Sequence, residues 1–89
     1  MDTTTFSFRA IAMMVADQFP LLHNHRVTCG VSNNNFFIRV ERDMRMSEAA
    51  AIQAWAESAL PYHTNRQGKN VCRQTNYVAG ASVITWRRL

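Results

Sequence analysis

Two prolines divide this chain, and each stands where a helical pattern of apolar residues stops. The first pattern is Phe8, Ile11, Ala12, Val15 and Phe19, followed by Pro20; the second is Ile52, Trp55, Ala56 and Ala59, followed by Leu60 and Pro61. The residue before a proline is pushed out of the helical region of backbone space, so each helix should end at this point. The chain is therefore expected to contain two helices, one stopping at Phe19-Pro20 and the other running to Leu60-Pro61.

The two helices have different expected beginnings. The first is amphipathic from Phe8 onward, because its apolar residues recur at helical spacing on one face. The second should begin after Ser47, a residue type that caps helices well, with Glu48 near the positive end of the helix dipole. Alanines on its inner face would let the helix lie close to its neighbours, and Trp55 is expected to supply most of its buried area.

The segments between and after the helices have the composition of strands. Val27 to Val31 and Phe36 to Arg42 are predicted to form a hairpin around the turn Ser32-Asn33-Asn34-Asn35. The end of the chain, Ala81 to Leu89, is rich in β-forming residues and is predicted as a strand, with Asn70 to Thr75 as a candidate partner. A turn or loop is expected at Gln67 to Asn70.

These elements predict one α+β domain over residues 1–89, with two helices packed on one face of a small antiparallel sheet of about four strands. A strand at Thr3 to Phe8 would give the ferredoxin-like order β-α-β-β-α-β. An earlier start of the first helix would give α-β-β-α-β-β. Ala10-Ile11 and Phe19-Pro20 recur as Ala51-Ile52 and Leu60-Pro61, which leaves open a duplicated unit beside a chance repeat of helix-stop residues.

The charges are distributed unevenly along the chain. All six acidic residues lie at or before Glu57, whereas Arg66, Lys69, Arg73, Arg87 and Arg88 follow it, so the net charge of +4 arises in the last third. All of the cations except Lys69 are Arg. The planar guanidinium makes paired contacts with phosphate or carboxylate and stacks on rings. This bias indicates a docking surface for an anionic partner.

The uncovered face of the sheet is the expected place for that surface. Phe37 and Arg39 should share it with Val83, Thr85 and Arg87, provided that Ile84 and Trp86 point inward. The predicted binding residues are Phe37, Arg39, Arg66, Lys69, Arg73, Arg87 and Arg88. The expected partner is a nucleic acid, a nucleoprotein complex or an acidic protein surface, because an aromatic ring beside Arg suits base stacking and phosphate contacts.

Other functions have weaker support in the sequence. A metal-independent endoribonuclease of the toxin type could use His63 as acid or base, with Arg66 or Lys69 as the phosphate clamp. His23, His25, Cys29, His63 and Cys72 lack the spacing of a zinc motif. No metal or cofactor is therefore predicted, and the protein is expected not to be an enzyme.

The two cysteines are expected to be buried free thiols, and one disulfide bridge between them is left open. A homodimer or a homo-oligomeric structural accessory protein also remains open.

The context of the protein is inferred only by analogy. The start of the chain has no basic leader, and no apolar run is long enough for a membrane span, so a soluble cytoplasmic protein is expected. Compact single-domain chains that carry no catalytic motif are common among phage-encoded inhibitors of host defence, such as anti-CRISPR proteins. An inhibitor of that kind is the most specific hypothesis, and it rests on chain length and the absence of motifs.

Overall fold

The computed structural model describes residues 6–64, 70–76 and 80–88, with side chains for residues 6–64 and 80–87. The helices are α1 (Phe8–Gln18), α2 (Met46–Ala59) and the short α3 (Pro61–Thr64), with a 3-10 turn at Pro20–Leu22. The strands are β1 (Val27–Ser32), β2 (Asn35–Val40), β3 (Asn70–Asn76) and β4 (Ser82–Arg88). The predicted α+β class, with two long helices and an antiparallel sheet, is confirmed.

The sheet has the order β1-β2-β4-β3, and all neighbouring strands are antiparallel. Ile38 and Ile84 are register partners in the middle of the two central strands, β2 and β4. Only the backbone of β3 is described. The choice between the two predicted orders of helices and strands along the chain depends partly on residues 1–5, which lie outside the described residues. The four-stranded sheet and the order of elements along the whole chain therefore stay predictions. The predicted loop from Gln67 also lies almost entirely outside the described residues.

The hairpin between β1 and β2 has the turn that its asparagines predict. Asn33 and Asn34 have φ angles of 52° and 66°, the left-handed values that a two-residue type I′ turn requires. Asparagine tolerates this conformation better than most residues. The second strand is shorter than predicted and ends at Val40, after which the backbone N–H of Glu41 donates to the carbonyl of Arg26 at 2.9 Å.

The second helix begins earlier than predicted. Its N-cap is Arg45, not Ser47, and the backbone N–H of Arg45 donates to the Glu48 carboxylate at 2.9 Å. Glu48 also accepts a hydrogen bond from the Arg42 guanidinium at 3.0 Å. This carboxylate thus satisfies a backbone donor at the start of α2 and joins the preceding loop to it. These contacts explain why the helix starts before the serine.

The core lies between the helices and one face of the sheet. The helices contribute Ile11, Val15, Ala49, Ile52 and Ala56, and the central strands contribute Phe36, Ile38, Val40, Ile84 and Trp86, all buried. Trp55 is half-buried and packs against this core, edge-on to Phe19 at a ring distance of 6.0 Å. Trp86 is the largest fully buried side chain, and its indole N–H donates to Glu57 at 3.0 Å.

The two cysteines lie on opposite edge strands of this sheet. Cys29 is on β1 and Cys72 is on β3, so three strand spacings, about 14 Å, separate their backbones. A disulfide needs Cα atoms within about 7 Å, so the described backbone positions favour free thiols over a bridge within one chain. Burial raises the pKa of the Cys29 thiol to about 12, which keeps that thiol protonated and unreactive.

Candidate functional site

The side of the sheet opposite the helices carries the residues that the alternation predicts. Along β2, Phe36, Ile38 and Val40 are buried while Phe37 and Arg39 are half-buried. Along β4, Ile84 and Trp86 are both 1% exposed, so Thr85 and Arg87 lie on the other side. The predicted inward orientation of Ile84 and Trp86 is confirmed. We call this side, which no helix of the described residues covers, the open face.

A groove with a volume of about 370 Å³ lies on the open face. Phe37 and Val83 supply its apolar surface, and Ser32, Asn33, Asn35, Arg39 and Thr85 supply its polar surface. Val83 is only 6% exposed although it faces away from the helices, so it lies at the bottom of the groove. The hairpin turn between β1 and β2 forms one end. The groove therefore combines an aromatic ring, a hydroxyl-bearing strand and a turn rich in amides.

The position of the Phe37 ring depends on Gly30, its pairing partner on β1. A Cβ atom added to Gly30 would lie 3.0 Å from Cζ and 3.1 Å from Cε2 of that ring. The tip of the ring therefore covers the glycine backbone, in space that any other residue would fill. Phe37 leans across β1 instead of projecting straight from the sheet, and the rest of its half-exposed surface borders the groove.

Arg39 is engaged with a carboxylate. Its Nε donates to Oε1 of Glu41 at 2.9 Å and its Nη2 contacts Oε2 at 3.5 Å. The hydrogen bond from this guanidinium is the main reason why the pKa of Glu41 lies below its ordinary value. Both side chains are 39% exposed. The charge of Arg39 is thus locally compensated, and Arg39 would contact a phosphate fully only in competition with Glu41.

The half of the sheet formed by β3 and β4 has a different charge. These strands belong to the stretch after Glu57, which contains no acidic residue. Arg87 is exposed on β4, two residues beyond Thr85, and has no ion-pair partner among the described side chains. The backbone of Arg73 pairs with Thr85. The two described cations of the open face therefore differ: Arg39 is paired with Glu41, whereas Arg87 is exposed and comes from the acid-free stretch.

The structure gives less detail on the other predicted site residues. Arg66 and Lys69 lie outside the described residues, and Arg73 and Arg88 are described by their backbone alone. His63 lies in α3 and is 9% exposed. Its ring packs on that of Phe36 at 5.0 Å, on the helix side of the sheet. The structure therefore brings Phe37, Arg39 and Arg87 to one face and places His63 on the other.

Four contributors to the site were not predicted from the sequence. Ser32, Asn33 and Asn35 were interpreted only as turn residues, yet they border the groove. Gly30 received no role because its importance depends on the register with β2. The pairing of Arg39 with Glu41 could have been found, since residues two apart on a strand share a face and opposite charges there attract. No local sequence pattern predicts the shape of the groove.

Comparison with protein-family models, with curated proteins and with solved structures finds no match to this chain. Among the residues that the structure describes, no helix is long and apolar enough to cross a membrane. Within the same residues, no three His, Cys, Asp or Glu side chains are grouped as metal ligands would be. The site is therefore interpreted from its own geometry and charge.

Proposed function

We propose that this protein is a non-catalytic binding protein that docks on a phosphate-bearing partner, a nucleic acid or a nucleoprotein. The docking surface is the open face, and the β3–β4 half supplies the cations. The observation that supports this most is the contrast between Arg39, paired with Glu41, and Arg87, exposed on a strand from the acid-free stretch. The proposal takes the whole chain as one α-β-β-α-β-β domain with a four-stranded sheet.

The residue types favour phosphate as the recognised group. Guanidinium groups bind phosphate through two parallel hydrogen bonds, and they keep their charge at any physiological pH. Thr85 lies beside the exposed Arg87 along β4 and adds a hydroxyl that can donate to a phosphate or sugar oxygen. The carboxylates of an acidic protein surface could bind the same guanidinium groups. An experiment must therefore distinguish a phosphate-bearing partner from an acidic protein.

Salt dependence of binding tests the proposal directly. A fluorescein-labelled eight-nucleotide single-stranded RNA and inorganic polyphosphate are titrated with the protein at several salt concentrations. Both should bind, and affinity should fall as salt rises, because each phosphate contact releases condensed counterions. Binding that does not change with salt would overturn the proposal. Failure to bind both polyanions would also overturn it, and would favour an acidic protein surface as the partner.

A matched pair of variants locates the surface. Arg87→Ala removes a cation from the open face, and Arg9→Ala removes another exposed cation from α1, in the helix layer. For RNA, Arg87→Ala should lower the salt slope by about 0.7, the value of one phosphate contact on a single strand. Arg9→Ala should leave the slope unchanged. Equal effects of the two variants would show that net charge, and not the open face, controls binding.

The same RNA also tests the enzymatic alternative. Binding without chemistry requires that the RNA remain intact on a denaturing gel after long incubation with the protein. Cleavage by the wild type that is lost in His63→Ala would replace the binding proposal with the endoribonuclease.

A phage-encoded inhibitor of a host-defence nucleoprotein, of the anti-CRISPR kind, is a narrower form of the proposal that rests on analogy. It requires affinity capture with the tagged protein to enrich one such complex, and loss of that enrichment in Arg87→Ala. Enrichment that is equal for Arg87→Ala and the wild type would count against the open face as the inhibitory surface.

A further inference from the structure

We propose that the groove on the open face holds one unpaired base of a single-stranded nucleic acid, with the Phe37 ring as its stacking surface. The inference rests on the proposed function, because it specifies which phosphate-bearing partner the open face would take. It adds a part of the partner that carries no charge, so it can be tested separately from the phosphate contacts.

The size and lining of the groove fit a group of this kind. Its volume of about 370 Å³ lies at the small end of the range for sites that hold one small molecule, about 300 to 1,000 Å³. Phe37 and Val83 give it an apolar surface, while hydroxyl and amide groups stand around them. A nucleobase has the same division, since its faces are apolar and its edges carry hydrogen-bond donors and acceptors.

Phe37 lies where a base could stack on it. The ring tip lies over Gly30, where an added Cβ would be only 3.0 Å from Cζ. Because Gly30 has no side chain, the ring has room to lie across β1, and the half-buried side chain also lines the groove. Stacking on an aromatic side chain tolerates any base, because every base has a π-face.

Polar groups are available for the base edge and for the neighbouring phosphate. Ser32 and Asn33 are exposed at the hairpin end of the groove. Asn33 is fixed there by the left-handed turn, with a φ angle of 52°. Arg87 lies two residues beyond Thr85, about 7 Å along β4. A base in the groove would therefore have an exposed cation within side-chain reach of its phosphate.

The same arrangement disfavours a duplex as the partner. In a double helix the bases are stacked on one another, and only their edges are accessible to side chains. A ring that leans across the sheet cannot reach a base face unless that base leaves the stack, which costs the pairing and stacking free energy of the base. Unpaired nucleotides present their faces without this cost.

The deciding experiment compares two ligands with equal phosphate number. A labelled eight-nucleotide oligouridine and an eight-unit abasic oligomer are titrated with the wild-type protein. The abasic oligomer should bind more weakly by about five-fold or more, since stacking contributes about 1 to 3 kcal/mol per base. Equal affinities with equal salt slopes would overturn the base inference and leave phosphate docking standing. Binding of neither ligand would overturn the proposed function as well.

A variant pair assigns the effect to the ring. Phe37→Leu keeps an apolar side chain but removes the aromatic face, and Tyr62→Leu removes an aromatic ring that is 42% exposed in α3, on the helix side. In Phe37→Leu the preference for oligouridine over the abasic oligomer should disappear, while in Tyr62→Leu it should persist. A preference that survives in Phe37→Leu would show that the base is held elsewhere.

A readout without any variant covers the case in which Phe37→Leu does not fold. Wild-type protein is photo-crosslinked to an oligouridine that carries 4-thiouridine and is then digested with trypsin. The crosslink should fall on the peptide of residues 27–39, which contains Phe37 and the hairpin turn. Crosslinks found only on peptides of the helix layer would overturn the inference.

Discussion

Replacement of Glu41 by Gln should strengthen binding of single-stranded RNA, although it removes an ion pair. In the protein, Glu41 accepts hydrogen bonds from Arg39 at 2.9 Å and 3.5 Å, which compensates the one described cation that borders the groove. The substitution keeps the size of the side chain and raises the net charge of +4 by one. Arg39 then no longer faces a carboxylate that competes with phosphate.

The magnitude follows from counterion release. If Arg39 contacts one additional phosphate, the slope of log affinity against log salt should steepen by about 0.7, the value for a single strand. Relative to binding at 1 M salt, this slope corresponds to a gain of about five-fold at 0.1 M. Fluorescence anisotropy with labelled oligouridine at 50, 100 and 200 mM salt measures both quantities in one series.

Glu48→Gln is the matched control for this experiment. It makes the same change of charge and disrupts an ion pair of the same kind, Arg42 to Glu48 at 3.0 Å, at the start of α2. Its RNA affinity should stay near that of the wild type, because Glu48 belongs to the helix layer. An unchanged affinity of Glu41→Gln, or an equal gain in both variants, would refute the local role of the Arg39 pair.

Three further predictions concern stability and reactivity. Position 34 has a φ angle of 66°, which glycine adopts freely and β-branched residues do not. In urea unfolding, Asn34→Gly should therefore keep or raise the free energy of unfolding, and Asn34→Val should lower it by about 1 kcal/mol. A Val variant as stable as the wild type would contradict the turn. Hydrogen bonds from Arg42 hold the pKa of Glu48 below its ordinary value, so its stabilisation is present above the ordinary pKa and is lost as pH falls through the lower folded pKa. Acid denaturation should therefore be less steep in Glu48→Gln, and identical pH profiles would refute this. In Cys72→Ser, Cys29 should react with a thiol reagent at pH 8 only after urea is added, because burial raises its pKa to about 12; rapid reaction of the native protein would show that β1 opens.

The helices, the strands and the side of the sheet on which each strand residue lies could be predicted from the sequence, because they depend on local patterns. Strand alternation placed Ile38 and Phe37 on opposite sides of β2, and the two prolines located the helix ends to within one residue. The start of α2 was missed because Arg45 has no capping preference of its own. Glu48, three residues further on, supplies the bond that defines the helix start. Side-chain contacts of this kind depend on the loop conformation and leave no pattern in composition.

The groove could not be predicted because it depends on register across strands. Gly30 matters only because it faces Phe37, and this pairing is fixed by the two-residue turn at Asn33 and Asn34. A hairpin loop longer or shorter by one residue would pair Phe37 with a residue whose Cβ projects outward. The identity of residue 30 and the conformation of the turn therefore act together on the same ring.

The order of the strands in the sheet determines which residues lie beside the acid-free stretch. Had the two hairpins lain side by side with β2 and β3 adjacent, Arg39 and Glu41 would neighbour the strand of Arg73. Instead β4 lies beside β2, and this places Thr85 between Phe37 on one side and the backbone of Arg73 on the other. A ligand that spans these strands meets the aromatic ring first and the acid-free half next. Because Glu41 is the acidic side chain held against Arg39 at the groove, its removal is the change that most directly tests whether charge or shape limits binding.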